Sequence, residues 1–183
     1  MVVSDFEYVV GFYALLLGLA VANVAVGFAD MWRDRERVGV GYCAPLLAGT
    51  VLLGAMNVWL STWATRADVT VDGWQMIAAL GISLPYVFVS RAMSPPEGAT
   101  ITLEDHYLRS RIPILLALAI APAVSVYSKI RLDHFHYAEF EEIWLATRVA
   151  LPVALMFLPG RAAQRAGLAA LNILLVVGLF NWT

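Results

Sequence analysis

The sequence has few charged residues and a single cysteine. Asp, Glu, Lys and Arg make up 14% of its 183 residues, against about a quarter in an ordinary soluble domain. Cys43 is the only cysteine, which excludes an intramolecular disulfide and a zinc site built from cysteines. The net charge is −2, and the basic residues form short clusters of mixed sign instead of a basic stripe. We therefore expect no nucleic acid partner.

Motifs of common catalytic sites are also missing. The sequence contains no phosphate-binding glycine loop, no His-Glu-x-x-His and no Gly-x-Ser-x-Gly. We therefore favour a protein that is not an enzyme, and we expect no cofactor. The first residues include Asp5 and Glu7 but neither Lys nor Arg, so the first apolar run is predicted to stay as a helix and not to be cleaved as a signal peptide.

Long apolar runs fill the rest of the chain. Apolar residues make up 61% of it, and a helix needs about 20 of them to cross ~30 Å of hydrocarbon. The pattern predicts an all-α integral membrane protein, a single bundle over 1–183 that crosses the bilayer in several passes. Six transmembrane spans are predicted, at 8–28, 39–63, 74–90, 112–128, 143–158 and 166–182.

The basic residues predict the orientation of these spans. The first, third and fifth loops hold eight arginines, whereas the second and fourth hold Arg66, Lys129 and Arg131. Because basic loops stay in the cytoplasm, both termini are predicted to face outward. Tryptophan favours the headgroup layer, and the residues predicted at the outer boundary are Trp59, Trp63, Trp74, Trp144 and Trp182.

Arg148 is the only charged residue inside a predicted span. A charge there is costly unless it is paired or reaches the surface, which makes it a candidate functional residue. We expect Trp144, four residues earlier, to stack on it, and Glu7 is a possible partner. The alternative is a structural anchor whose guanidinium reaches the outer surface.

Three asparagines also lie within predicted spans. We expect Asn23, Asn57 and Asn172 to form hydrogen bonds between helices. A substrate site is the alternative for these polar side chains.

Two loops carry candidate chemistry. In the fourth loop, His134, His136 and Glu139 are candidate ligands of zinc or copper, or part of a proton-sensing patch. The alternative is a segment lying in the membrane interface, with no metal. In the third loop, candidates for acid–base catalysis are Glu104, Asp105 and His106. Arg109 and Arg111, next along the chain, are candidate contacts for a lipid headgroup or a protein partner, although such charges also suit a solvated helix.

Small residues follow one face of the first span at a spacing of seven: Gly11, Gly18 and Ala25. Such residues let helix backbones approach closely, either within the bundle or in a homodimer. Prolines are predicted inside or at the edges of four spans, and transporters use such breaks to expose carbonyl groups to a substrate.

Two segments together resemble a family. Phe6-Glu7-Tyr8 is followed by Gly18-Leu19, and Asp105-His106-Tyr107 is followed by Arg111 before the fourth span. This layout resembles a group of small, uncharacterised bacterial membrane proteins with six helices. The resemblance implies a multi-pass protein of the bacterial inner membrane, with added weight on Glu7, Asp105 and Arg111, and it implies no activity.

Three functions follow from these patterns. The first is a non-enzymatic subunit, sensor or scaffold that contacts a protein partner or forms a homo-oligomer within the lipid bilayer. The second is a small transporter or channel, which requires a polar cavity. The third is a lipid-active enzyme at the cytoplasmic face, which requires the third-loop candidates to lie together.

Overall fold

The structure is a computed structural model, and it describes residues 4–33, 39, 41–67, 69–95, 101–131 and 140–180. These residues form six helices and no strand. The helices are α1 (Asp5–Arg33), α2 (Cys43–Ala64), α3 (Gly73–Ala92), α4 (Leu103–Arg131), α5 (Phe140–Met156) and α6 (Arg161–Leu179).

Capping residues explain where several helices begin. Before α1, Ser4 and Glu7 each accept a hydrogen bond from the other's backbone N–H, which satisfies two donors at the helix end. The Asp72 carboxylate accepts from the backbone N–H of Gln75 at the start of α3. The Thr102 hydroxyl oxygen accepts from the backbone N–H of Asp105 before α4 in the same way.

The largest difference from the predicted boundaries is in α4. The polar segment 103–111 and the fourth predicted span, 112–128, belong to one continuous helix, Leu103–Arg131, of 29 residues. Pro113 lies inside it without ending it. The polar segment therefore extends the fourth apolar helix beyond the predicted membrane boundary.

The six helices run alternately up and down. At one end, Phe6 packs against Trp63, and Trp74 packs against Tyr127. We call this the tryptophan end. It holds the beginnings of α1, α3 and α5 and the last turns of α2, α4 and α6. The opposite end is the arginine end, and its described arginines are Arg33, Arg91, Arg109, Arg111, Arg161 and Arg165.

The order of helices around the bundle is α1, α3, α4, α5, α6 and α2, with α2 also touching α3 and α4. The core lies where these helices meet and includes Leu17, Leu47, Ile114, Leu115 and Leu168. The outside carries many exposed apolar side chains, such as Leu15, Ile77 and Ile173. An exterior of this kind needs lipid to cover it.

The prediction of an all-α membrane bundle is confirmed. Five of the six helices are long and apolar enough to cross a membrane. The other, α5, has 17 residues, about 25 Å at 1.5 Å per residue. It lies in the bundle between α4 and α6, where the fifth span was predicted.

The small residues of α1 face outward. Gly11, Gly18 and Ala25 are exposed, and a Cβ added at either glycine would meet nothing within 4 Å. Packing of this face inside the bundle, one of the two alternatives, is therefore wrong. Close approaches between helices occur instead at other glycines, among them Gly54, under the Tyr86 ring, and Gly178, under the Trp144 ring.

Candidate solute-binding cavity

A cavity of about 550 Å³ opens at the tryptophan end of the bundle. Its lining comes from α1 to α5, together with Thr65 and Val69, and includes no residue of α6. Hydroxyl and amide groups surround the mouth, among them those of Ser61, Thr62 and Gln75. Aromatic and aliphatic side chains form much of the deeper wall. The volume is within the range of small-molecule sites in proteins, roughly 300–1,000 Å³.

Arg148 lines the deeper part of this cavity. Its Cα lies about 12 Å along α5 from Phe140, at 1.5 Å per residue, and the residue is only 7% exposed. Its Nη2 donates a hydrogen bond to Tyr86 Oη at 3.1 Å. The guanidinium therefore does not extend to the outer surface, as the anchor alternative had placed it, and whether Arg148 is structural or functional stays a prediction.

Trp144 holds the guanidinium from one side. The Arg148 Cζ lies 4.5 Å from the centre of the Trp144 ring, so the predicted stacking is confirmed. The indole N–H donates to the carbonyl of Leu174 at 2.7 Å, and the ring covers Gly178. Trp144 is thus buried between α5 and α6, and its depth relative to the headgroup layer stays a prediction.

No carboxylate of the described residues lies within 4 Å of the Arg148 guanidinium. Glu7, the expected partner, is exposed and accepts from the Ser4 N–H at 2.8 Å. Pairing of Glu7 with Arg148 is therefore wrong. The Tyr86 hydroxyl and the Trp144 ring face are neutral, so they lower the cost of burying the guanidinium without cancelling its charge.

A second cation, Lys129, lies at the mouth. Its Nζ is 3.5 Å from Oε1 of the buried Glu142 carboxylate. Ser128, beside it, lines the cavity with a hydroxyl that has no hydrogen-bond partner among the described residues. The described lining holds these two basic residues, Arg148 and Lys129, and no acidic one.

The three asparagines form the expected hydrogen bonds between helices. Asn23 joins Ser90 at 3.2 Å, Asn57 joins the Leu175 carbonyl at 3.0 Å, and Asn172 joins Thr50 at 3.0 Å. Asn57 also lines the cavity, whereas the other two are outside its lining.

Each catalytic candidate of the third loop makes a contact with another helix or its C-terminal end at the arginine end. Glu104 is 5% exposed and accepts from Arg165, whose Nη2 is 2.7 Å away. Asp105 pairs with Arg161 at 2.6 Å. The ring Nε2 of His106 is 3.0 Å from the Ala92 carbonyl.

These contacts join α4 to α6 and α3, and they occupy the groups that acid–base chemistry would need. They therefore weigh against the lipid-active enzyme.

The remaining candidates take no part in the cavity. Arg109 is exposed, and Arg111 donates to the Leu108 carbonyl at 3.1 Å. Within the described ranges no group of three side chains is placed to hold a metal ion. His134, His136 and Glu139 lie outside the described residues.

Comparison with known proteins returned no matching family model, no matching curated protein and no matching solved structure. The resemblance to the group of small bacterial membrane proteins therefore stays a prediction.

Tyr86 was not predicted as the partner of Arg148. The two residues are 62 positions apart, and a tyrosine in an apolar span is unremarkable by composition. A weak signal was present in Gly54 and Gly178, since a glycine inside a helix often marks where another group approaches closely. These glycines face the Tyr86 and Trp144 rings, the two that contact the guanidinium.

Proposed function

We propose that this protein is a non-enzymatic membrane sensor or solute-binding subunit that takes up a small molecule from the tryptophan end. The observation that carries the proposal is the buried Arg148 in a cavity open to that end. An ionisable residue in the interior of a membrane bundle is expensive and marks functional sites. The positive-inside pattern supports an orientation in which the mouth faces away from the cytoplasm. The resemblance to small bacterial membrane proteins supports an inner-membrane location.

The composition of the cavity wall supports binding over structural packing. Small-molecule sites combine apolar walls with a few polar groups that orient the ligand. Here Val58, Ile82 and Leu145 provide apolar surface, and Asn57 and Arg148 provide polar groups.

The test replaces one of two alanines by phenylalanine and measures how far a ligand raises the thermal midpoint of each protein. Ala78 lines the cavity and is buried, whereas Ala25 is on the outer face of α1. Ala78→Phe should fill part of the cavity, and Ala25→Phe is the matched control. Purified protein in lipid nanodiscs is screened with water-soluble acids, amides and amines. A ligand that binds only the native state raises the midpoint.

We expect at least one compound class to stabilise the unmodified chain and Ala25→Phe, and not Ala78→Phe. Equal stabilisation of all three proteins, or of none, would contradict the proposal.

A carrier is the second candidate function, and three prolines favour it. Pro85, Pro122 and Pro152 lie inside α3, α4 and α5, the helices that surround Arg148 and Tyr86. Each proline leaves the carbonyl four residues earlier without its helical donor, and so permits bending. For Pro152 that carbonyl belongs to Arg148 itself. Bending at these positions would open the cavity toward the arginine end, as alternating access requires.

Exchange of a labelled solute across liposomes separates the two functions. A carrier exchanges any solute that raises the thermal midpoint, and Pro152→Ala slows this exchange while binding is kept. A sensor binds the same solute without exchange.

A further inference from the structure

We infer that the cavity takes a small organic acid, bound as a singly charged carboxylate with its charged end inward on Arg148 and its apolar or aromatic body toward the mouth. This inference rests on the proposed function and adds the chemical class and direction of the ligand. It is carried by the charges, the depth and the wall of the cavity.

The sign of the ligand's charge follows from Arg148. The guanidinium has five N–H donors, and the one hydrogen bond that it makes to the described residues is to Tyr86 Oη. None of its nitrogens is among the buried, unpaired atoms of the described residues, so its remaining donors have open space beside them. A carboxylate matches the geometry of a guanidinium and can accept two parallel hydrogen bonds.

A single negative charge follows from the pairing of the other cation. Lys129 already lies beside the Glu142 carboxylate, so Arg148 is left as the cation to be neutralised. Burying a net charge in a bundle is costly. One carboxylate neutralises the site, whereas a dianion would leave an excess negative charge among apolar side chains.

The direction and the body of the ligand follow from the wall. Arg148 and Tyr86 lie in the deeper part, and Ser61, Thr65 and Gln75 surround the mouth. The lining also includes the apolar and aromatic side chains of Tyr13, Trp74 and Trp144. An apolar or aromatic body gains from this surface, and the mouth leaves its far end accessible to water.

The experiment compares three acids with their amides. Benzoate, phenylacetate and hexanoate are titrated by calorimetry into protein in lipid nanodiscs, and so are benzamide, phenylacetamide and hexanamide. Empty nanodiscs correct for partition into lipid. The variants are Arg148→Gln, which removes the charge, and Arg148→Lys, which keeps it. Ala78→Phe reports whether binding uses the cavity, and thermal midpoints show that each variant is folded.

We expect the acids to bind more tightly than the amides, and Arg148→Gln to weaken the acids about 10- to 100-fold, the range of a hydrogen bond to a charged group. Arg148→Lys should retain part of that affinity, and the amides should be unchanged by either variant.

Equal affinity of acids and amides, both lost in Ala78→Phe, would overturn the carboxylate inference and leave the solute-binding function standing. Acid binding that is unchanged in Arg148→Gln would also overturn it. No saturable binding of either series to the unmodified protein would overturn this inference.

Discussion

Arg165 holds Glu104 through two nitrogens on one carboxylate oxygen. Its Nε and Nη2 lie 2.9 and 2.7 Å from Glu104 Oε1, and the guanidinium also covers the Tyr42 ring at 4.9 Å. The other oxygen accepts from the Tyr42 backbone N–H at 3.3 Å. One carboxylate on α4 thereby ties the first turn of α6 to the residue before α2.

Loss of the Glu104 charge should destabilise the arginine end. Breaking a fully buried ion pair costs about 3–5 kcal/mol, but the Arg165 side chain is 41% exposed and is screened by water. We therefore expect Glu104→Gln to lower the free energy of unfolding by about 1–2 kcal/mol, measured by titration with a denaturing detergent. Asp105→Asn is the matched control, because the Asp105–Arg161 pair is exposed and should contribute less than about 1 kcal/mol. The reverse ranking of the two variants would show that burial does not set the strength of these pairs.

Gly178 should tolerate no side chain. A Cβ there would overlap the Trp144 ring and the Asn57 amide. Gly178→Val is expected to lower the free energy of unfolding by about 1–3 kcal/mol, the usual cost of overpacking. Gly18→Val is the control, since nothing lies within 4 Å of a Cβ at that position. If both valines behave alike in the detergent titration, α5 and α6 are not packed as closely as described.

Asn172 should act as an anchor between α2 and α6. Its Nδ2 donates to the Leu46 carbonyl at 2.9 Å and to Thr50 Oγ1 at 3.0 Å. Hydrogen bonds between membrane helices average about 0.6 kcal/mol, so Asn172→Ala should cost roughly 1 kcal/mol in the same titration. Because Asn172 is outside the cavity lining, the affinity for a stabilising ligand should not change. A large loss of affinity would instead place Asn172 in the solute site.

The proposed orientation can be checked with engineered cysteines. In a Cys43→Ser background, Thr65→Cys at the tryptophan end and Ser94→Cys at the arginine end both present an exposed thiol. A maleimide that does not cross membranes should label Thr65→Cys in spheroplasts, and Ser94→Cys only after lysis. The opposite pattern would place the cavity mouth in the cytoplasm.

The parts of the fold that could be predicted are those set by the boundary between apolar and charged residues. Asp72 and Arg91 flank the third predicted span, and α3 runs from Gly73 to Ala92. The polar start of α4 was left out of the predicted fourth span because a charged segment does not resemble a membrane segment. Apolar composition predicts which segment inserts in lipid, but it does not predict how far the helix continues outside the membrane.

The candidate site was less predictable, because it depends on which face of each helix turns inward. The stacking of Trp144 on Arg148 could be predicted, because the two residues are four positions apart on one helix. The depth of Arg148 was underestimated because the fifth span was predicted to begin at 143, whereas α5 begins at Phe140. Its contact with Tyr86 joins α5 to α3, two helices that both pack against α4. No local sequence pattern contains this arrangement.

The length and charge of α5 also bear on how the bundle is assembled. A segment of 17 residues is at the lower limit for crossing a bilayer, and an arginine at a helix centre adds about 2.5–3.5 kcal/mol to its insertion. Alone in lipid, α5 would therefore be a poor transmembrane segment. Its support comes from Tyr86 on α3 and from the Leu174 carbonyl on α6, the helix that follows it in the chain. We therefore expect stable membrane integration of α5 to follow the synthesis of α6, so the cavity that Arg148 lines forms only after both helices are in place.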